Sequence, residues 1–157
     1  MLTAADLNAY VGLHIRDICP NRYQNDADNH CAHFVSHVLG LRFGATCAQM
    51  TGRVAMGTDA NIRVHEIFAR CPSAGTWDNL PFPLFVGLAF VTNAAHVNVR
   101  TKVMNNVPRK HIGIFLGGGA DIWHYSNSRR QVVTQPPSQF MNHYPAPDNA
   151  MFWGSLP

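Results

Sequence analysis

The stretch HIGIFLGGGADIWHYSN, residues 111–127, decides how the chain is read, because it has the form of a β-hairpin with its chemistry on one face. Ile112, Ile114 and Leu116 alternate with His111, Gly113 and Phe115, the period of two that marks a strand with unlike faces. If Gly117-Gly118 form a two-residue turn, Leu116 pairs with Gly119 and His111 falls opposite His124. Opposed residues share a face with Cβ atoms about 4.5–5.5 Å apart, so this register predicts two converging imidazoles. Gly113 leaves space beside His111 for a packed helix start or a substrate. Ser126 shares the face of His124, and a one-residue bulge would put Asn127 there instead, so either could help to orient the pair.

Around the hairpin the C-terminal half reads as further strands, at residues 84–92, 97–100, 131–134 and 151–154. The N-terminal half reads as helices. Thr3 and Asp6 form a capping-box pattern before a short helix that Gly12 ends. Residues 13–30 read as a loop rich in Pro, Asn and Asp, and a glycine-bearing loop carries Gly44, Gly52 and Gly57. A further helix is expected over 62–70, stopped by Pro72. Helices first and an antiparallel sheet afterwards predict an α+β fold.

The 157 residues suit a single domain over 1–157, and 46% hydrophobic against 13% charged residues argues for a folded globule. The net charge of +3 comes without a basic run, which argues against nucleic-acid binding, and no apolar stretch approaches the ~18 residues of a membrane span. MLTAADLNAYVG lacks the features of a signal peptide, so synthesis in the cytoplasm is expected, with any export left to other machinery. A monomer is expected.

The hairpin needs a partner, and Cys31 supplies one. Cys31, Phe34, Val35 and Val38 follow the i, i+3, i+4, i+7 pattern of a buried helical stripe, ended by Gly40, with Asp28 and Asn29 as caps. A cysteine at a helix N-terminus lies where free N–H groups and the dipole favour thiolate, the attacking species. Cysteine, a histidine facing its helix, and a third group orienting the histidine are the parts of an acyl-transfer site. A buried structural cysteine is the ordinary alternative.

The other cysteines, Cys19, Cys47 and Cys71, stand at spacings without CxxC, which disfavours a cysteine-only zinc site. His33 and His37 have the i, i+4 spacing that can hold zinc, but no HExxH glutamate accompanies them. They are read as polar residues on the exposed side of the helix, with His33 available to line the cleft, and neither a metal nor a cofactor is expected.

Asn29-His30-Cys31-Ala32-His33-Phe34-Val35 resembles the Asp-Cys-Ser-Gly-Phe-Val signature of NlpC-type cell-wall peptidases, in the papain-like superfamily that includes CHAP domains and type VI amidase effectors. His111-Ile112-Gly113-Ile114-Phe115-Leu116 resembles their His-Val-Gly-Ile-Tyr-Leu strand, and Ile122-Trp123-His124-Tyr125-Ser126 the next one. The resemblance runs from about residue 20 to the C-terminus and implies a papain-like fold with catalytic Cys31, His111 and His124. It also implies a site-lining role for Tyr23, and Ala32, His33, Gly113, Ser126 and Asn127 are expected beside the substrate from their positions next to the three catalytic residues. Ala32-His33 stand where the family has Ser-Gly, and Gly87-Leu88 where it has Gly-Asp. The lecithin retinol acyltransferase family has a similar cysteine run but the reverse order of Cys and His.

The activity so implied is cleavage of an amide bond in peptidoglycan stem peptides, by an enzyme delivered through phage lysis or a secretion system and matched by an immunity protein. Alternatives are a papain-like protease, deamidase or acyltransferase acting on proteins, and a catalytically inactive binding module.

Overall fold

The computed structural model describes residues 1–53 and 58–157; Gly57 of the glycine-bearing loop lies outside them. The elements are α1 (Ala4–Asn8), α2 (Ile15–Ile18), α3 (Cys31–Leu39), α4 (Cys47–Thr51), α5 (Val64–Arg70), β1 (Ala74–Thr76), β2 (Val86–Asn93), β3 (Val97–Asn98), β4 (Val103–Met104), β5 (His111–Leu116), β6 (Ile122–Ser126), β7 (Gln131–Gln135), α6 (Pro137–Phe140) and β8 (Asn149–Gly154). Helices and an antiparallel sheet make it an α+β molecule. Six strands form the sheet in the order β1-β8-β2-β5-β6-β7, and β3 pairs with β4 apart from it.

Local chemistry accounts for the helix ends. Thr3 and Asp6 cap α1 reciprocally, as their spacing predicts, and Gly40 ends α3 at φ 68°, where a Cβ would be strained. The segment read as loop before α3 contains one more turn, α2, capped by the His14 side chain on the Arg16 N–H.

The sheet has two covered faces. On one, Leu88, Phe90, Ile112, Ile114, Tyr125 and Phe152 meet Phe34 and Val35 of α3 and Ile67 and Phe68 of α5. Burying each such side chain stabilises the fold by about 1.5–3 kcal/mol. On the other face Ala89, Val91, Phe115, Ile122, Met151 and Trp153 are covered by Phe140 of α6, with Trp77 and Leu80 at the margin.

The hairpin register differs from the expected one. Ile114 lies opposite Trp123 and Phe115 opposite Ile122, so the turn takes two more residues than a Gly117-Gly118 turn would. Gly119 explains the longer turn: its φ is 72°, and a Cβ there would lie 2.7 Å from the Trp77 ring, so the glycines let Trp77 pack over Phe115. A slip of two residues keeps every side chain on its face. His124 therefore stays on the face of His111 but moves opposite Gly113, diagonal to His111.

Candidate active site

The start of α3 is stitched between the beginning of β5 and the end of β6. Asn29 Nδ2 donates to the Lys110 carbonyl at 3.4 Å, Asn127 Nδ2 donates to Asn29 Oδ1 at 2.9 Å, and the His30 N–H donates to Asn127 Oδ1 at 3.0 Å. These bonds put the Cys31 thiol against the backbone of β5, where it donates to the Lys110 carbonyl at 4.0 Å and meets the Ile112 N–H. Sulfur and imidazole thus sit at the same end of one strand.

Contrary to the expectation from the sequence, His111 does not face the helix that carries Cys31. Its neighbours Ile112 and Ile114 take the α3 face, and strand alternation sends the imidazole to the other, among Phe140, His143 and His124. The His143 ring stacks on it at 3.6 Å and 8°. No hydrogen bond joins Cys31 to His111, whose Nδ1 is buried without a partner among the described residues.

The protons of this pair are set by a chain of three side chains. His124 Nε2 lies 2.7 Å from Gln135 Oε1, and His124 Nδ1 lies 2.8 Å from His111 Nε2. An amide oxygen only accepts, so His124 carries its proton on Nε2 and offers the Nδ1 lone pair to the N–H of His111. His111 then keeps a lone pair on Nδ1, the orphaned atom, which is the one able to take a proton.

Burial makes the resting site neutral. It pushes the Cys31 thiol up to about 12, and it holds His111 well below its ordinary value of 6.5 and His124 and His143 down at about 4. The thiolate expected from the helix terminus is therefore not the resting form. Desolvation outweighs the terminal dipole, because only 1% of Cys31 is exposed and its own N–H already donates to Asn29 Oδ1 at 3.0 Å.

Cys31 reaches a cleft of about 290 Å³ bordered by Asn29, Arg63, His65, Arg109, Lys110 and Tyr144. Among the described residues its lining holds three cationic side chains and no carboxylate. Arg109 sits at φ 63°, a left-handed conformation that costs a residue with a Cβ roughly 1–2 kcal/mol. His65 Nδ1 is buried there without a partner among the described residues. Tyr144 receives the Asn29 Nδ2 hydrogen at 2.9 Å, with its ring 4.6 Å from His143, and so spans from the cysteine side to the histidine side.

Several residues expected at the substrate have other places. Tyr23 packs its ring 5.4 Å from His30 and 5.3 Å from His33, away from the cleft lining. Ala32 and His33 are buried inside α3's packing, because that helix is enclosed on nearly all sides rather than half exposed. The space at Gly113 is filled by β6: a Cβ would lie 2.5 Å from Ile122 Cγ2, 2.9 Å from the Trp123 carbonyl and 3.1 Å from His124 Cβ. Ser126 bonds Ser128 and the Arg129 N–H in the turn after β6. Asn127 positions the helix start and not a histidine ring. Gln135, His65, His143 and Tyr144 were missed; the place of Gln135 on β7, across from Ile122 in the sheet, carries no signal that sequence alone would single out.

Two clusters of side chains have metal-ligand character: His111, His124 and His143, and Cys19, His33, His37 and Cys47. The first does not suit a metal. Ring-nitrogen lone pairs lie in the ring plane, and the parallel planes of His111 and His143 do not converge on a common point. No family model matches the chain, and neither a curated protein nor a solved structure matches it. Among the described residues no helix is long and apolar enough to cross a membrane.

Proposed function

We propose that the chain is a papain-like cysteine hydrolase that cleaves an amide bond in a carboxylate-bearing peptide, with Cys31 as nucleophile and His111 Nδ1 as base. The observation that carries this reading is the placing of a thiol at a cationic cleft, beside the strand end whose histidine has one nitrogen tied to His124 and the other left open.

Both groups rest neutral and the imidazole rests on the other face of β5, so the His111 ring must turn toward the sulfur; attack and proton transfer then occur together, the sulfur bonding to the amide carbon as its proton passes to His111 Nδ1. His124 accepts the Nε2 hydrogen of the resulting imidazolium. The same proton then goes to the leaving amine, the C–N bond breaks, and water, deprotonated by His111, releases the acid and restores the thiol. An oxyanion at this site would take the Cys31 N–H from Asn29 Oδ1.

Arg63, Arg109 and Lys110 favour a substrate with free carboxylates, which peptidoglycan stem peptides have. An enzyme of this kind acts outside the cell that makes it, and a partner immunity protein would cover the cleft. The test is digestion of purified peptidoglycan with mass spectrometry of the fragments. Wild-type protein is expected to release stem-peptide fragments, and Cys31→Ala and His111→Ala to release none with their fold intact. Turnover by Cys31→Ala would end the proposal.

The closed, neutral state of Cys31 favours a second reading, a binding module without turnover. That reading expects the wild-type protein to sediment with peptidoglycan and to leave both it and protein amides uncut.

A further inference from the structure

Cys19, His33, His37 and Cys47 come from three separate segments, the turn after α2, the body of α3 and the first residue of α4, yet their ligand atoms all lie within 4.8 Å of one another. His33 and His37 point about 200–240° around the helix from Cys31, so the cluster is distinct from the candidate active site. His33 Nε2 and His37 Nε2 are 3.1 Å apart, and Cys47 Sγ is 4.0 Å from His37 Nε2. A tetrahedral zinc with Zn–N about 2.0 Å and Zn–S about 2.3 Å would set its ligands roughly 3.3 Å apart for N and N and roughly 3.5 Å for N and S.

The surroundings orient the ligands. His30 Nε2 lies 2.8 Å from the Asn25 carbonyl, which can only accept, so His30 carries its proton there and bares Nδ1. His33 Nδ1, 3.1 Å from that lone pair, must therefore donate, which leaves the His33 Nε2 lone pair aimed into the cluster. This outer hydrogen bond is of the kind that fixes a ligating imidazole. The sulfurs have donors as well: Asn21 Nδ2 reaches Cys47 Sγ at 3.4 Å, and the backbone N–H groups of Asn21 and Tyr23 point to Cys19. Cys47 and the Asn21 amide thus meet in a site whose polar atoms face inward, while Cys19, His33 and Cys47 are each no more than 2% exposed.

We propose that Cys19, His33, His37 and Cys47 bind one Zn²⁺ as a closed tetrahedral centre that anchors α3. Two thiolates balance the charge of the ion, so the buried unit is neutral. Binding releases the two thiol protons, that of Cys47 being the one now directed at Asp59 Oδ1 at 3.5 Å, and leaves His37 protonated on Nδ1. Two sulfurs and two imidazoles select zinc over magnesium or calcium, and four protein ligands leave no open position for chemistry. The role is structural: the ion ties the turn before α3 and the start of α4 to the helix that carries Cys31.

The test is metal analysis of the full chain after loading with zinc and removal of excess, together with the absorption spectrum of Co²⁺ added to the metal-free protein. The expected results are one zinc per chain, and for Co²⁺ intense tetrahedral visible bands with a sulfur-to-cobalt charge-transfer band. Cys47→Ala and His37→Ala should lose the zinc, whereas Cys31→Ala should keep one equivalent whether or not the hydrolase proposal survives. Substoichiometric zinc in the wild type, a weak octahedral Co²⁺ spectrum, or a Cys19–Cys47 disulfide in its place overturns the proposal. If the variants fail to fold, the wild-type Co²⁺ spectrum decides.

Discussion

His124 holds His111 from a diagonal position: Nδ1 of one ring and Nε2 of the other are 2.8 Å apart, although Gly113 is the residue that β5 sets opposite His124. Two long rings on the same face bridge the diagonal because the position between them has no side chain. The glycine is therefore part of the histidine pair.

That dependence makes Gly113→Ala a stringent change. The added methyl would meet a branched side chain, a carbonyl oxygen and His124 Cβ at 2.5–3.1 Å, and a backbone carbonyl does not yield. A loss of about 1–3 kcal/mol is expected in urea unfolding, with a fall in activity beyond what stability explains as the rings separate. Wild-type stability in this variant would mean that β6 relaxes without cost.

The Gln135 end of the chain of protons can be tested by its acceptor. Gln135→Leu removes the group that keeps the His124 proton on Nε2 and so the lone pair of His111 on Nδ1. His124→Ala should lower kcat on the order of 10²-fold, and Gln135→Leu by less. Gln135→Glu should shift the acid limb of the kcat profile to higher pH, since a carboxylate stabilises the imidazolium, and an unmoved limb would leave Gln135 a purely structural residue. Wild-type rates in His124→Ala would remove that residue from the site.

How much of this was legible depends on the range of the signal. The period of two at His111–Leu116 and the i, i+3, i+4 stripe at Cys31 are local, and both elements stand where they were expected. The register was not legible, because the turn length is set by Trp77, which packs on Gly119 from a distant part of the chain, and a two-residue slip preserves the pattern. The face of His111 was misread because the alternation says only that Ile112 and His111 differ, not which side α3 covers. Gln135, His65 and the adjacent pair His143-Tyr144 come from three separate segments that only folding brings to the candidate site. The same holds for Cys19 and Cys47 beside His33 and His37, where the i, i+4 pair was visible but its distant partners were not.

Stability should fall in mild acid. His124 and His143 titrate at about 4 in the folded chain against 6.5 when exposed, and His111 is likewise held well below its ordinary value, all chiefly by burial. The unfolded chain thus binds protons that the folded one refuses, so the contribution is fully present above pH 6.5 and is lost as the pH falls toward 4. Each group costs about 1.4 kcal/mol per pH unit in that window. Urea midpoints measured from pH 7.5 to 4.5 should drop steeply, and His143→Phe, which keeps the stacked ring without the titration, should flatten the slope. A pH-independent midpoint would contradict the neutral, buried state of these rings.

The state of Cys31 gives the sharpest contrast with an ion-paired cysteine. A thiol held at about 12 has roughly 10³-fold less thiolate at neutral pH than one at its ordinary 9, and thiolate is the species that alkylates. Iodoacetamide should therefore label Cys31 in the folded protein far more slowly than in the urea-unfolded chain, at a rate that keeps rising with pH through 9. Labelling followed by mass spectrometry of the Cys31 peptide reads both. A rate that levels off below pH 7 would instead mean a thiolate–imidazolium pair, and with it a resting site in which His111 has swung toward the sulfur. Turnover in spite of slow alkylation is consistent, because in the concerted attack the substrate carbonyl takes up the electron pair as the proton leaves, and no free thiolate has to form.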